Sequence, residues 1–261
     1  RALPIYQKQK IKDKIASTTR AIAQIQEKQN KVKDAIKSYQ SASEEAVDVG
    51  YSKVNSNDAS RLQNTNPKAQ AEYLDSNIKI LEKEGKMDDA AEVYKQKAEV
   101  DFKSENKGMA IENYEKAIAV SKDKPEEVLK LKSEISKVYA SENNLDKAIE
   151  ITKNTISEAE KLGSISQQIE QQQTLADLYF KNENQDDAIV LLEETYALAL
   201  KNGRTFDAKK AMLALSDYYR QQGNQTKAIE LYDQFLNDFD RMVQADSTLV
   251  DSKIFQVTEE K

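Results

Sequence analysis

Ala-Ile pairs stand at 110–111, 148–149, 188–189 and 228–229, with spacings of 38, 40 and 40. Four residues before each alanine lies an asparagine: Asn106, Asn144, Asn184 and Asn224. Nine residues before three of the alanines lies a tyrosine: Tyr139, Tyr179 and Tyr219. A pattern that returns at a fixed period near 40 means that one supersecondary unit is copied along the chain. The stretch Leu175–Leu200 shows the unit plainly. Two apolar helical patterns flank a polar break at Asn182–Gln185, and small Ala176 and Ala188 sit where the two helices press closest. A unit of this kind cannot bury its own apolar side and must stack on its neighbours.

Composition agrees with an all-α chain. Of 261 residues, 32% are charged and 39% hydrophobic, with only 6 Gly and 3 Pro, and helix formers dominate. There is no Cys, His or Trp. Without His, the usual general base at neutral pH and the commonest metal ligand are missing. Without Cys, no disulfide, thiol nucleophile or thiolate metal site can form, although this says nothing of compartment. No Gly-rich phosphate loop or metal-spaced cluster occurs, so the expectation is a non-enzymatic chain with no cofactor and no metal. No run of about 18 apolar residues is present, so no membrane span is expected in this chain. The first residue is Arg1, not Met, and the last segment stops in mid-pattern, which suggests a piece of a longer protein.

The net charge of −6 is unevenly spread, since residues 1–43 carry ten Lys/Arg against three Asp/Glu. A basic start on an acidic body could touch an anionic surface or an acidic partner. Lys8, Lys10, Lys12 and Lys14 are spread round a helix, however, which favours an ordinary solvated face.

The chain divides into 1–66, 67–243 and 244–261. From Lys8 to about Glu44 apolar residues fall at helical spacing, and two readings stand: a continuous coiled-coil helix, or a degenerate first repeat. The second is preferred. Asp34-Ala-Ile-Lys-Ser-Tyr-Gln-Ser-Ala42 has the same form as the segment starting at Ala110, Asn30 would mark the turn, and Ala23 stands twelve before Ala35. Residues 50–67 are rich in turn chemistry, and a helix over about 44–62 is poorly specified. Pro67 suits a helical first turn. Helices are then predicted at about 87–104, 107–122, 126–142, 145–161, 165–182, 185–202, 205–222 and 225–243, with a break at Lys107-Gly108. The acidic pairs Asp88-Asp89 and Asp186-Asp187 fall in first turns, where a helix N-terminus favours negative charge. After Asp246 comes a last amphipathic stretch, and 244–261 is expected to be a capping or connector helix.

These residues resemble tetratricopeptide (TPR) repeats of the long-period variety. The family's small eighth residue is matched by Ala98, Ser136, Ala176 and Ser216, and its small twentieth by Ala110, Ala148, Ala188 and Ala228. Its aromatic eleventh is matched by Tyr139, Tyr179 and Tyr219, with Asp101 departing and Phe102 beside it. The resemblance implies an α-solenoid of antiparallel helix pairs, a right-handed superhelix with a C-terminal capping helix, and a concave face lined by the first helix of each pair. Its groove positions, carried onto this chain, are Lys95, Glu99 and Phe102; Lys130, Ser133 and Lys137; Gln173, Asp177 and Phe180; and Lys210, Leu213, Asp217 and Arg220. Phe102 and Phe180 could equally pack between repeats.

What the resemblance implies is a scaffold that binds a protein or peptide. Glu99, Glu134, Asp177 and Asp217 among the lysines would repel a ligand carboxylate, so a clamp for a C-terminal carboxylate is rejected. The mixed groove suits a helix or extended segment carrying both charge signs. The acidic body opposes nucleic acid. The tyrosine ladder reads as core, and a homodimer stays open. The ending, residues 246–261, is similar to the helix leading out of the TPR region in some bacterial membrane-bound sensor histidine kinases. That likeness implies an extracytoplasmic, periplasmic sensor for signal transduction. A cytoplasmic TPR adaptor or regulator, controlling a transcription or signalling partner, is the alternative.

Overall fold

The computed structural model describes residues 2–46 and 67–259, apart from the side chains of 46, 67–69, 242, 243 and 245–259. The segment over which a helix at 44–62 was in question lies almost wholly outside them. Among the described residues the chain is helical, with no strand. The helices are α1 (Leu3–Gln9), α2 (Lys12–Lys28), α3 (Val32–Ala46), α4 (Pro67–Lys83), α5 (Met87–Lys103) and α6 (Lys107–Val120). They continue with α7 (Pro125–Ser141), α8 (Leu145–Leu162), α9 (Ile165–Lys181), α10 (Gln185–Lys201), α11 (Thr205–Gln221) and α12 (Gln225–Glu259). Two compact units result, residues 1–138 and 139–261.

One joint connects almost all of these helices. Lys10, Asn30, Gly85, Glu105, Asn143, Gly163, Glu183, Gly203 and Gly223 take a left-handed conformation, with φ between 54° and 75°. In each joint the amide of the following residue donates back five positions. Asn106 donates to the Asp101 carbonyl at 2.8 Å, Asn184 to Tyr179 at 2.9 Å and Arg204 to Ala199 at 2.9 Å. That is the six-to-one bond of a Schellman ending. The same residue then starts the next helix, its carbonyl accepting the first helical bond. Asn106 accepts from Ala110 at 3.0 Å and Asn144 from Ala148 at 3.1 Å. This explains the asparagine four places before each alanine: it is the N-cap, and in Asn144 and Asn224 the side chain accepts from the amides of Lys147 and Lys227. The positive φ belongs to the residue before it. Between Asn143 and Gly223 the joints recur every 20 residues, so the 40-residue period is two equal halves.

The predicted break at Lys107-Gly108 is corrected. The chain turns at Ser104–Asn106, with Glu105 at φ 61°, and Gly108 lies inside α6. A glycine marked the spot in sequence, yet the Schellman ending fixes where α5 stops. The helix that begins at Gln225 continues without a break to Glu259, so 244–259 prolongs α12. Residues 12–46 form a hairpin of α2 and α3 turned at Asn30.

A left-handed glutamate costs about 1–2 kcal/mol that glycine avoids, although glycine gives part of it back in chain entropy. Glu183→Gly is therefore expected to raise stability by about 0.5–1 kcal/mol, and Gly203→Ala to lower it by about 1 kcal/mol. Urea unfolding of the two variants should show opposite shifts in midpoint.

Within each hairpin, residues twelve apart face each other across the joint. Tyr39 donates to Glu27 at 2.9 Å, Ser38 to Gln26 at 2.7 Å, Tyr94 to Glu82 at 2.6 Å and Asn113 to Asp101 at 2.8 Å. The small pairs Ala23/Ala35, Ala98/Ala110, Ala176/Ala188 and Ser216/Ala228 obey the same rule, and all are buried. No bulk at these points lets the helix backbones approach, while larger side chains fill the spaces on either side. In the first unit Tyr39, Tyr73, Leu74, Ile78, Leu81 and Val93 form one core across α3, α4 and α5. In the second, Ala176, Leu192, Ala211 and Leu215 join α9, α10 and α11.

Asp101, the departure from the aromatic position, is buried and held by the Asn113 amide. Burial raises its pKa, against the opposing pull of Lys97 and the Asn113 hydrogen bond. Because its folded pKa lies above the unfolded value, its contribution is fully present in acid and is lost as pH rises through the folded value. Asp101→Asn keeps the shape without the charge. The variant should gain on wild type as the pH rises from acid to neutral, read from urea midpoints of both proteins at each pH.

Candidate protein-binding faces

In the first unit, α5 and the start of α7 enclose a shallow cleft of about 220 Å³. Its lining includes Asp88, Glu92 and Lys95 from α5, Lys124 from the joint before α7, and Glu127 and Leu131 from α7. Lys95 Nζ lies 3.6 Å from Glu92 and 3.8 Å from Glu127, so it bridges the two helices. Lys124 Nζ lies 2.7 Å from Asp88 across the mouth. Such half-exposed pairs contribute about 0–1 kcal/mol each, so an incoming charged group can trade places with either member at little cost. Glu99, one turn beyond Lys95, has its pKa raised by burial, opposed by Lys95 and Lys103.

Of the residues predicted for this face, Lys130 and Lys137 are exposed, with Lys130 4.0 Å from Glu127 and Lys137 2.7 Å from Glu134. Phe102 is half-buried and Ser133 is buried at 4% exposure, which leaves Ser133 little to offer a ligand. Asp88, Glu92, Lys124 and Glu127 were not on the predicted face. Asp88 stands in the first turn of α5, where a helix N-terminus by itself accounts for an acid, and Lys124 lies in a joint that repeat alignment passes over. The hint available in sequence was the i, i+3 spacing of Glu92 with Lys95 and of Glu127 with Lys130.

In the second unit, the face of α9 and α11 carries Asp177, Lys210, Asp217 and Arg220, all exposed. Although the residue as a whole is exposed, partial loss of water around the Asp177 carboxyl raises its pKa, and Lys210 and Lys181, one cation from each helix, pull it back. Asp217 is paired with Arg220 one turn on. Gln173 is buried and donates to the Asp207 carbonyl at 3.4 Å, linking α9 to α11, and Leu213 is half-buried. Phe180 stacks on Tyr218 with centroids 5.4 Å apart, and Tyr218 meets Tyr219 edge-on at 5.5 Å. Phe180 also packs on the core of Ala176, Leu192, Ala211 and Leu215. Packing between helices thus engages Phe180, while one of its ring's neighbours, Tyr218, stays only half-buried. Of the tyrosine ladder, Tyr179 is buried and takes Lys153 over its ring at 5.4 Å, whereas Tyr139 and Tyr219 are half-buried.

Among the described residues no group of His, Cys, Asp and Glu could hold a metal ion, and no helix is long and apolar enough to cross a membrane.

No protein-family model and no curated protein sequence matches the chain. Solved structures do. A kinesin light chain with nearly identical TPR-like repeats from Podosopora anserina is 19% identical, with 74% of this chain and 96% of that one covered and a TM-score of 0.55. A signal-transduction ATPase with numerous domains and a tetratricopeptide repeat sensor, from Pyrococcus horikoshii, is 19% identical at a TM-score of 0.59. It covers 90% of this chain, which spans 38% of that longer one. Aspartyl phosphate phosphatase F from Bacillus subtilis is 14% identical at a TM-score of 0.51, covering 90% of this chain and 73% of that one. Paired helices joined by one recurring turn, small residues at the crossing points and these likenesses together establish that the chain has the all-α, TPR-like repeat fold.

Proposed function

We propose that the chain is a non-enzymatic scaffold that binds a protein or peptide on the charged faces of its first-of-pair helices. The observation that carries this reading is the cleft beside Lys95. It is an open depression lined by charges of both signs, in which Lys95 is shared between Glu92 and Glu127 at 3.6 and 3.8 Å and Lys124 pairs with Asp88 at 2.7 Å. A helical or extended segment with alternating charge would satisfy Lys95, Lys124, Asp88 and Glu127 in place of their present partners. The face of Asp177, Lys210 and Asp217 offers the same mixed chemistry.

A finer version makes the chain the extracytoplasmic sensor region of a bacterial two-component histidine kinase. Two points support it: a neighbour in fold carries a repeat sensor, and α12, with 35 residues against 17 in α11, suits a connector that passes a binding signal along. The alternative is a cytoplasmic adaptor controlling a transcription or signalling partner. The gene beyond Lys261 discriminates them, since an apolar span followed by kinase motifs belongs only to the sensor.

The test of the scaffold is a partner cross-linked in native lysate and then measured against variants. Replacing Lys95, Lys130, Lys137, Asp177 and Asp217 with Ala should leave the helical circular dichroism intact and weaken capture of that partner about tenfold or more. Unchanged capture sinks the assignment of these faces.

A further inference from the structure

The apolar surface of helix α12 is wider than the part its neighbours cover. Ala228, Leu231 and Phe235 turn inward onto the α10–α11 core, and Asp238 on that side accepts from the Tyr196 hydroxyl at 2.8 Å. Ile229, Tyr232, Leu236 and Phe239 follow the 3-4-3 spacing of a single stripe beside that face, joined to it where Phe239 stacks on Phe235 with centroids 6.1 Å apart; Ile229 is 60%, Leu236 58%, Phe239 39% and Tyr232 36% exposed. Scattered exposed apolar residues are normal, but four in one stripe mark an interaction surface. Asp233 and Asp240 flank the stripe, each one position after a stripe residue, and both are exposed.

The opposite terminus has the complementary character. Residues 1–43 carry ten Lys/Arg against three Asp/Glu. On α1, Ile5 is 56% exposed, with Lys8 one turn away on the same side and Lys10 exposed in the joint that follows. We propose that the stripe of α12 takes the basic N-terminal end, α1 and the joint after it, of a second copy of this chain. Apolar Ile5 would lie against Leu236, and Lys8 and Lys10 would meet Asp233 and Asp240. Pairing α12 with its own twin instead would bring the two aspartates of each copy against those of the other, which like-charge repulsion opposes. The association is head-to-tail, with a different patch used on each side.

Sedimentation velocity of the whole chain over a concentration series tests this. The wild-type average mass should rise with concentration and fall back towards the monomer in high salt, because the rim contacts are screened. Leu236→Asp and the double variant Lys8→Glu/Lys10→Glu should each weaken association about tenfold or more while keeping wild-type helical dichroism, since all three side chains are exposed. Mixing the two variants is the decisive measurement. Each retains one sound end, so the mixture should form heterodimers that neither variant forms alone. A wild type that stays monomeric throughout overturns the proposal. So does an association abolished by Leu236→Asp but unmoved by Lys8→Glu/Lys10→Glu, which is a symmetric α12 pair.

Discussion

Tyr73→Ala is expected to lower the stability of the first unit by about 3–5 kcal/mol, the range for removing a large aromatic from a packed core. Tyr73 is fully buried on α4, edge-on to the equally buried Tyr39 of α3 with ring centroids 6.1 Å apart. Its hydroxyl lies 2.9 Å from the Ser43 hydroxyl, which in turn donates to the Tyr39 carbonyl at 2.9 Å. Truncation therefore removes three things together: the buried ring area, the aromatic pair and one buried hydrogen bond. Tyr73→Phe separates them. It keeps the ring and loses only the hydroxyl, so it should cost about 1 kcal/mol. Urea unfolding followed by circular dichroism gives both values. If Tyr73→Ala costs no more than Tyr73→Phe, the α3–α4 contact is not the core described above.

Ala188→Leu should destabilise the second unit by about 1–3 kcal/mol through overpacking. Ala188 has no exposed surface and sits against Leu175 and Tyr179 of α9, with Ile149 and Ile156 of α8 behind them. Three extra carbons at that point must push α9 and α10 apart or force side chains out of their rotamers. Ala197 on the same helix is exposed and supplies the control. Ala197→Leu should change stability by no more than about 0.5 kcal/mol. Thermal melts of the two variants suffice, and equal melting temperatures would contradict the helix register.

The repeat was legible because helix pairing demands small residues at fixed places, and a period survives even where individual residues vary. Asn30, Ala23 and Ala35 show how far this reaches, since the turn and the two crossing alanines stand where the pattern of later repeats put them. The Lys107-Gly108 break failed for the complementary reason. Glycine signals a permissive backbone, but the hydrogen bond from Asn106 to Asp101 decides which residue takes the left-handed turn, and glutamate can be made to take it. The exposure of the candidate groove positions was legible only in part. Groove positions such as Lys130 and Asp217 proved exposed, yet Ser133 and Gln173 are buried, because how far a helix is rolled against its neighbours depends on every side chain between them.

From sequence alone came the helical class, the 40-residue period, the crossing residues and the lack of His and Cys, because each depends on residue type and spacing along one chain. The tertiary structure alone decided that Lys95 reaches Glu127, that Lys124 closes on Asp88, and that Ile229 and Leu236 remain uncovered. Those facts depend on how separate helices are set beside each other, and no period within one helix carries that information.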